Sequence, residues 1–223
     1  MVPFPSILTA VHEPDSLRRL PKFLVLNNLE GATTRQLAEP ARVNQAAIPY
    51  YFGGKEGLYT ATIEDFFAVH TRKILALAAS IEAQSSSRPL SPTEALERLK
   101  SLLDHLLEIL LRQQASRSFG RIIIREQMQP TKAFDVIYEG VIRHVHETIS
   151  SLLSIVLGRE PTERTVILRA QMILGQVLIF LSGREAIRRR LGLTGYTEEE
   201  FAEIKAALHE QLDLLQRKRG VKR

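Results

Sequence analysis

The chain carries six histidines, His12, His70, His105, His144, His146 and His209, and acid–base or metal chemistry would begin with them. His144 and His146 stand two apart, so on a helix they point about 160–200° apart and cannot share a metal ion. No H-E-x-x-H, P-loop, G-x-G-x-x-G or G-x-S-x-G pattern occurs, which removes the usual frames for metal, phosphate and serine chemistry. Cysteine is absent, so disulfides, thiolate metal ligands and a cysteine nucleophile are excluded. Arg125 and Glu126 set a base beside an acid, a pair that reads better as a structural ion pair or a ligand contact than as a catalytic pair. The chain does not read as an enzyme, and neither a metal nor a cofactor is expected.

Nucleic-acid chemistry is the better lead, and it lies between Ala32 and Leu58, ATTRQLAEPARVNQAAIPYYFGGKEGL. Thr33 can cap a short helix, with Gln36 three residues on to complete a capping box. Pro40 predicts an end to that helix near Glu39. Asn44 is a good cap for a second short helix, Gln45 to about Phe52. Gly53-Gly54 then breaks the chain, and a long helix resumes from Lys55 to about Ser80. Two short helices joined by a tight turn make a helix-turn-helix, whose second helix enters the major groove.

Bulk charge adds little to this. The net charge is +5, but Arg217, Lys218, Arg219, Lys222 and Arg223 carry five positive charges without an acid. Subtracting them leaves 25 basic against 25 acidic residues, and the first 80 residues hold 8 basic against 7 acidic. The basic end reads as a solvated tail.

The elements that must position the motif are helices almost throughout. Apolar residues recur at three and four, as in Leu96, Leu99, Leu102, Leu103, Leu106, Leu107 and Leu110, and no stretch alternates as a strand would. Ser91-Pro92-Thr93-Glu94 is a strong helix start, preceded by a loop over residues 84–89. Pro130-Thr131 opens a long helix to about Leu157, ended by Gly158 and Pro161. Another runs from about Thr162 to Leu181. Ser182-Gly183-Arg184-Glu185 predicts a capping box for a short helix ended by Gly192, and Thr197 to Glu200 a further one for a helix to about Arg217. The apolar run Val166 to Leu181 contains Arg169, Gln171 and Gln176. It is short for a bilayer span and reads as a buried core helix. The start of the chain, with Pro3 and Pro5, lacks the basic region of a signal peptide. A cytoplasmic protein without membrane contact is expected.

The segment 32–58 resembles the DNA-binding domain of the TetR/AcrR family of transcriptional regulators. The matching residues are Thr33, Thr34, Leu37, Ala38, Ala41, Val43, Asn44, Ile48, Tyr50, Tyr51, Phe52, Lys55, Glu56 and Leu58. Arg125-Glu126-Gln127, Pro130-Thr131 and Gly175-Gln176 through Arg188-Arg189-Arg190-Leu191-Gly192 resemble the C-terminal domain of its CerR-like branch. The likeness covers about Ser16 to Leu215.

That resemblance implies an all-α fold of about nine helices, with a three-helix helix-turn-helix domain before a helical bundle. Residues 1–62 would hold an N-terminal extension and the DNA-binding domain, 63–216 the ligand-binding and dimerisation domain, and 217–223 the basic tail. It further implies a homodimer through the last two helices, a palindromic double-stranded operator, repression, and release by a small-molecule inducer of unknown identity. Thr34, Arg35, Asn44, Gln45, Ala46, Tyr51 and Lys55 would contact DNA. Leu37, Val43, Ile48, Phe52 and Tyr50 are expected in the core. Phe119, Ile123, Met172, Gln176 and Phe180 are the candidates to face inward towards a ligand.

Four positions depart from the pattern. Arg42 replaces a turn glycine, at roughly 1 kcal/mol. Pro49 falls inside the recognition helix and would forfeit a bond to the Gln45 carbonyl, worth about 3 kcal/mol in a regular helix. Pro40 shortens the preceding helix, and Pro21 interrupts a first helix expected over residues 16–27. A helical dimer with a degenerate helix-turn-helix that binds little DNA is therefore the second reading.

Overall fold

The computed structural model describes residues 33–41, 45, 47–112, 114–193 and 195–220. Among them there is no strand. The helices are α1 (Thr34–Ala41), α2 (Ala47–Phe52), α3 (Lys55–His70), α4 (Arg72–Ser87), α5 (Pro92–Leu107), α6 (Gln114–Met128), α7 (Ala133–Ile137), α8 (Arg143–Leu157), α9 (Arg164–Ser182), α10 (Arg184–Leu191) and α11 (Glu198–Gly220). Five-residue π turns follow α5, at Glu108–Arg112, and α7, at Tyr138–Ile142. The second joins α7 and α8 into one helical run from Ala133 to Leu157.

These helices form two compact units. The first holds the described residues up to Arg72 together with Ser118–Val141, and the second holds Lys73–Arg117 and the residues from Ile142 onward. In the first, α3 packs against α2 and α7. Its core includes Ile48, Phe52, Leu58, Tyr59, Ile63 and Ile137. In the second, α8 is central and packs on α5, α9 and α11. The leucine stripe of α5 (Leu96, Leu99, Leu102, Leu103, Leu106 and Leu107) is buried along its length.

Three of the four capping boxes form. Ser91 Oγ accepts the Glu94 N–H at 3.2 Å, and Glu94 accepts the Ser91 N–H at 2.9 Å. The Arg88 guanidinium and the Ser91 donors hold the Glu94 carboxyl well below the usual carboxylate range. Thr33 with Gln36 and Thr197 with Glu200 repeat the pattern. Gly158 and Gly192 close α8 and α10 in the left-handed conformation, at φ 65° and 68°, which glycine adopts without a Cβ penalty.

Elsewhere the structure corrects the sequence reading. The Ser182 box is absent: the Ser182 hydroxyl donates back to the Leu178 carbonyl at 3.1 Å, and Gly183 caps α10 with no side-chain bond. A serine in the last turn of one helix can bond backward as well as forward, and here the preceding helix wins. The serine-rich stretch read as a loop continues α4 to Ser87. The helix stops only before Pro89, which disfavours helical geometry at Arg88. Helix α1 passes through Pro40 to Ala41; near the end of a helix, the ring removes only the bond to Gln36. Helix α11 reaches Gly220, so Arg217, Lys218 and Arg219 extend a helix instead of forming a loose tail.

Helix α9 is not a buried core helix. Val166, Ala170, Ile173 and Val177 are buried, while Ile167, Leu168, Met172 and Ile179 are exposed. By length and composition α9 could also cross a membrane, with 22% of its apolar window buried in this chain. Ser91→Ala is expected to cost about 1 kcal/mol of unfolding free energy in urea, whereas Ser182→Ala stays within about 0.5 kcal/mol. Equal losses would contradict the assignment of the caps.

Candidate functional site

The helix-turn-helix region is built around one short amphipathic helix. In α2, Ile48 and Phe52 lie four apart and are both fully buried. Tyr50, midway between them, falls on the other side of the helix and is 84% exposed. The expectation that Tyr50 is core is thus overturned by helical geometry: i and i+4 share a face, and i+2 cannot. Arg35 and Gln45 are exposed, and Lys55 is half-buried at the start of α3. Asn44 and Ala46 lie outside the described residues, as do Arg42, Val43, Pro21 and the side chains of Thr34, Leu37 and Tyr51.

Pro49 costs less than the sequence suggests. Helix α2 begins at Ala47, not Gln45, so Pro49 falls in the first turn, where backbone N–H groups have no intrahelical partner. The Gln45 carbonyl is taken instead by the Ile48 N–H at 3.3 Å, and the Pro49 carbonyl accepts the Gly53 N–H at 3.1 Å.

The turn into α3 is tight. Gly53 and Gly54 take φ 68° and 116°, and a Cβ added at Gly57 would sit 1.7 Å from the Phe52 carbonyl oxygen. That contact is with backbone, so no side chain can yield to it. Only glycine at 57 lets α3 start so close to the end of α2.

Further along α3, Tyr59 meets a buried acid. Glu126 is 1% exposed. Its Oε1 accepts the Tyr59 hydroxyl at 2.6 Å. Its Oε2 accepts the Thr131 N–H at 3.0 Å and the Thr131 hydroxyl at 2.9 Å. Thr131 Oγ1 in turn accepts the Ala133 N–H at 3.2 Å, at the start of α7. The Arg125 guanidinium donates to the Tyr59 hydroxyl, lies 5.2 Å from its ring centroid and stands 3.7 Å from Glu126. Burial, and then the bond to Glu126, push the Tyr59 phenol far above its ordinary range. The network ties α3 to the α6–α7 corner. Sequence reasoning singled out Arg125 and Glu126 but not Tyr59, whose partner lies 67 residues away.

The five candidate ligand residues fall in both units. Ile123 is buried in the first, and the side chain of Phe119 lies outside the described residues. In the second unit Gln176 donates to Gln211 Oε1 at 2.8 Å, and Phe180 is half-buried, its carbonyl accepting the Tyr196 hydroxyl at 3.0 Å. Met172 does not face inward: it is 66% exposed, on the side of α9 opposite its buried stripe. Among the described residues no cluster of three or more His, Asp or Glu side chains could hold a metal ion.

Two family models match the chain: bacterial regulatory proteins of the tetR family over residues 24–62, and the C-terminal domain of the HTH-type transcriptional dual regulator CecR over residues 95–217. The second gives the C-terminal branch the name CecR in place of CerR. The chain is 33% identical over 187 residues to the HTH-type transcriptional dual regulator CecR of Shigella flexneri, covering 82% of each sequence. It is 30% identical over 96 residues to the probable HTH-type transcriptional regulator YttP of Bacillus subtilis (strain 168), over 43% of this chain and 41% of that one. Its fold resembles Mycobacterium smegmatis AmtR, at TM-score 0.59 and 15% identity over 92% of this chain and 89% of the other. It also resembles AibR, solved with isovaleryl coenzyme A and operator DNA, at TM-score 0.60 and 13% identity over 88% and 95%.

Tyr59→Phe keeps the ring but strips Glu126 of a donor, and is expected to lower stability by about 1–3 kcal/mol in urea at neutral pH. A raised phenol pKa favours the folded state below the unfolded tyrosine value of about 10 and loses that contribution as pH rises further. The gap between wild type and Tyr59→Phe therefore narrows above about pH 10. A gap that is absent at neutral pH, or that widens in alkali, contradicts this. Glu126 and its partner Thr131 lie inside the CecR-type segment, and the helix-turn-helix lies inside the tetR-type one. The chain belongs to the TetR family of transcriptional regulators, with a DNA-binding helix-turn-helix and a C-terminal domain of the CecR type.

Proposed function

We propose that the chain is a ligand-responsive repressor that binds a palindromic operator as a homodimer and leaves it when a small-molecule inducer binds. The observation that carries the DNA-binding part is the two-sided character of α2. One side is sealed in the core by Ile48 and Phe52, and the other offers Tyr50 to solvent near Gln45, with Lys55 just beyond the turn. Gln45, with Asn44 and Ala46, reads base edges from the start of the recognition helix; Thr34, Arg35, Tyr51 and Lys55 hold phosphates. Tyr50 joins them as a contact that the sequence reading had placed in the core. The first-turn position of Pro49 favours this function over a helix-turn-helix that has lost its grip on DNA.

The outward face of α9 supports the dimer. Ile167, Leu168, Met172 and Ile179, with Leu214 of α11, are exposed apolar side chains on the two last long helices. A monomer seldom leaves such side chains uncovered. A two-fold axis would let each copy cover the other in a four-helix arrangement. Met172 is thereby assigned to the dimer face, while Phe119, Ile123, Gln176 and Phe180 are kept as the residues through which ligand is sensed. Inducer binding favours a dimer conformation whose recognition helices no longer fit half-sites about 34–36 Å apart. The protein acts in the cytoplasm, where its DNA is.

Fluorescence anisotropy on the DNA upstream of its own gene, over a salt series, tests the DNA-binding part. Selective binding should weaken steeply with salt. Lys55→Ala should lower the salt slope by about one, and Pro49→Asn should change affinity by no more than about twofold, since the first-turn N–H bonds nothing within the helix. Binding that appears only in Pro49→Asn would sink the reading. Met172→Asp with Ile179→Asp should convert a dimer to a monomer in light scattering; a wild type that is already monomeric at micromolar concentration contradicts the dimer.

A further inference from the structure

A cavity of about 180 Å³ in the second unit is lined by Lys73, Ile74 and Leu77 of α4, by Leu102, His105 and Leu106 of α5, and by Glu108 and Ile109 of the π turn that follows. None of the five ligand candidates from the sequence lines it. Its two walls are helical stripes: positions 73, 74 and 77 on α4 face 102, 105, 106 and 109 on the helix running through α5. The floor is aliphatic, with Ile74, Leu102, Leu106 and Ile109 all buried. The rim is polar, with Lys73 and His105 exposed.

The rim carries Lys73, His105 and Glu108, and Glu108 shares the Arg112 guanidinium, 3.5 Å away, with Glu198. The Lys73 ammonium has no ion-pair partner among the described residues. His105 donates through Nδ1 to the Ser101 carbonyl at 2.7 Å, which fixes its ring and assigns the Nδ1 proton. The cavity also sits where the helix widens into a π turn, a distortion that is rare in helices and concentrated at functional sites.

We propose that this cavity binds a small aliphatic carboxylate, its head on Lys73 beside His105 and its chain on the floor made by Ile74, Leu77, Leu102, Leu106 and Ile109. Lysine supplies a flexible ammonium that meets a carboxylate as a point charge. The floor offers an alkyl chain the removal from water that a purely ionic patch could not. The space equals the liquid volume of roughly six waters at about 30 Å³ each, which suits a short chain and rejects a large ring system. The site stands apart from the DNA-binding reading and from the residues proposed to sense the inducer.

Calorimetric titration of the full chain, without DNA, tests it with sodium hexanoate, hexanol and hexylamine at one ionic strength. Hexanoate should bind saturably and raise the unfolding temperature, and hexanol should bind less tightly. Hexylamine should not bind. Lys73→Met should weaken hexanoate about tenfold, the loss of one charge-assisted hydrogen bond, and Lys73→Arg should restore most of it. Leu77→Trp, at a half-buried lining position, should fill the cavity and abolish binding, with circular dichroism reporting that the variant is folded. Absence of saturable hexanoate binding by folded wild type overturns the proposal. So does hexanoate binding that survives both Lys73→Met and Leu77→Trp, or hexylamine binding as tight as hexanoate.

Discussion

A carboxylate taken almost wholly out of water must be given donors for both oxygens, and much of the first unit is arranged to supply them. An unpaired buried charge would cost several kcal/mol. Glu126 avoids this with the Tyr59 hydroxyl on one oxygen and the backbone and side chain of Thr131 on the other. The donors come from different places in the chain, so satisfying one acid joins α3 to the α6–α7 corner. Thr131 serves twice, since the oxygen that donates to Glu126 also accepts the first free N–H of α7. Helix α3 carries Lys55 at its start and follows α2 across the Gly53-Gly54 turn. The placement of α3 against α2 thus rests at one end on Gly57, which permits the close approach, and further along on Tyr59, which fixes the helix in place.

What could be read from sequence, and what could not, follows the range of the interaction. Caps at Thr33, Ser91 and Thr197 involve residues three apart, and the left-handed ends at Gly158 and Gly192 involve one residue each; all were legible. The burial of Ile48 and Phe52 was expected from the family resemblance and agrees with their i, i+4 spacing. The same spacing places Tyr50 outside, yet aromatic character outweighed geometry in the sequence reading. Ser182 had two local partners open to it, the Leu178 carbonyl behind and the Glu185 N–H ahead, and no local rule chooses between them. The Tyr59–Glu126 bond joins residues 67 positions apart, and nothing in either neighbourhood announces it. The return of Ser118–Val141 to the first unit is equally non-local. The family resemblance was legible because its signature is dense within Ala32 to Leu58.

Helix α9 shows how mean hydropathy misleads where direction matters. Its average reads as a core helix or even a bilayer span, and its side chains answer to neither. One stripe, Val166, Ala170, Ile173 and Val177, meets its own chain. The opposite side is apolar as well, but carries Gln171 and Gly175 among its exposed positions. Small and polar residues within an apolar face suit close contact between helices better than contact with lipid chains, since polar groups are costly to place in hydrocarbon.

The two π turns bear on how this chain can change length. In a regular helix, loss of one codon turns every later residue by about 100° and moves a buried stripe into solvent. A π turn already holds one residue more than the α-helix needs, closing its bond over five positions instead of four. Removal of one residue between 108 and 112, or between 138 and 142, would let the helix close in regular form with the flanking stripes of α5 and α8 kept on their faces. Single-codon deletions, ruinous elsewhere in these helices, have their least disruptive places at these two turns.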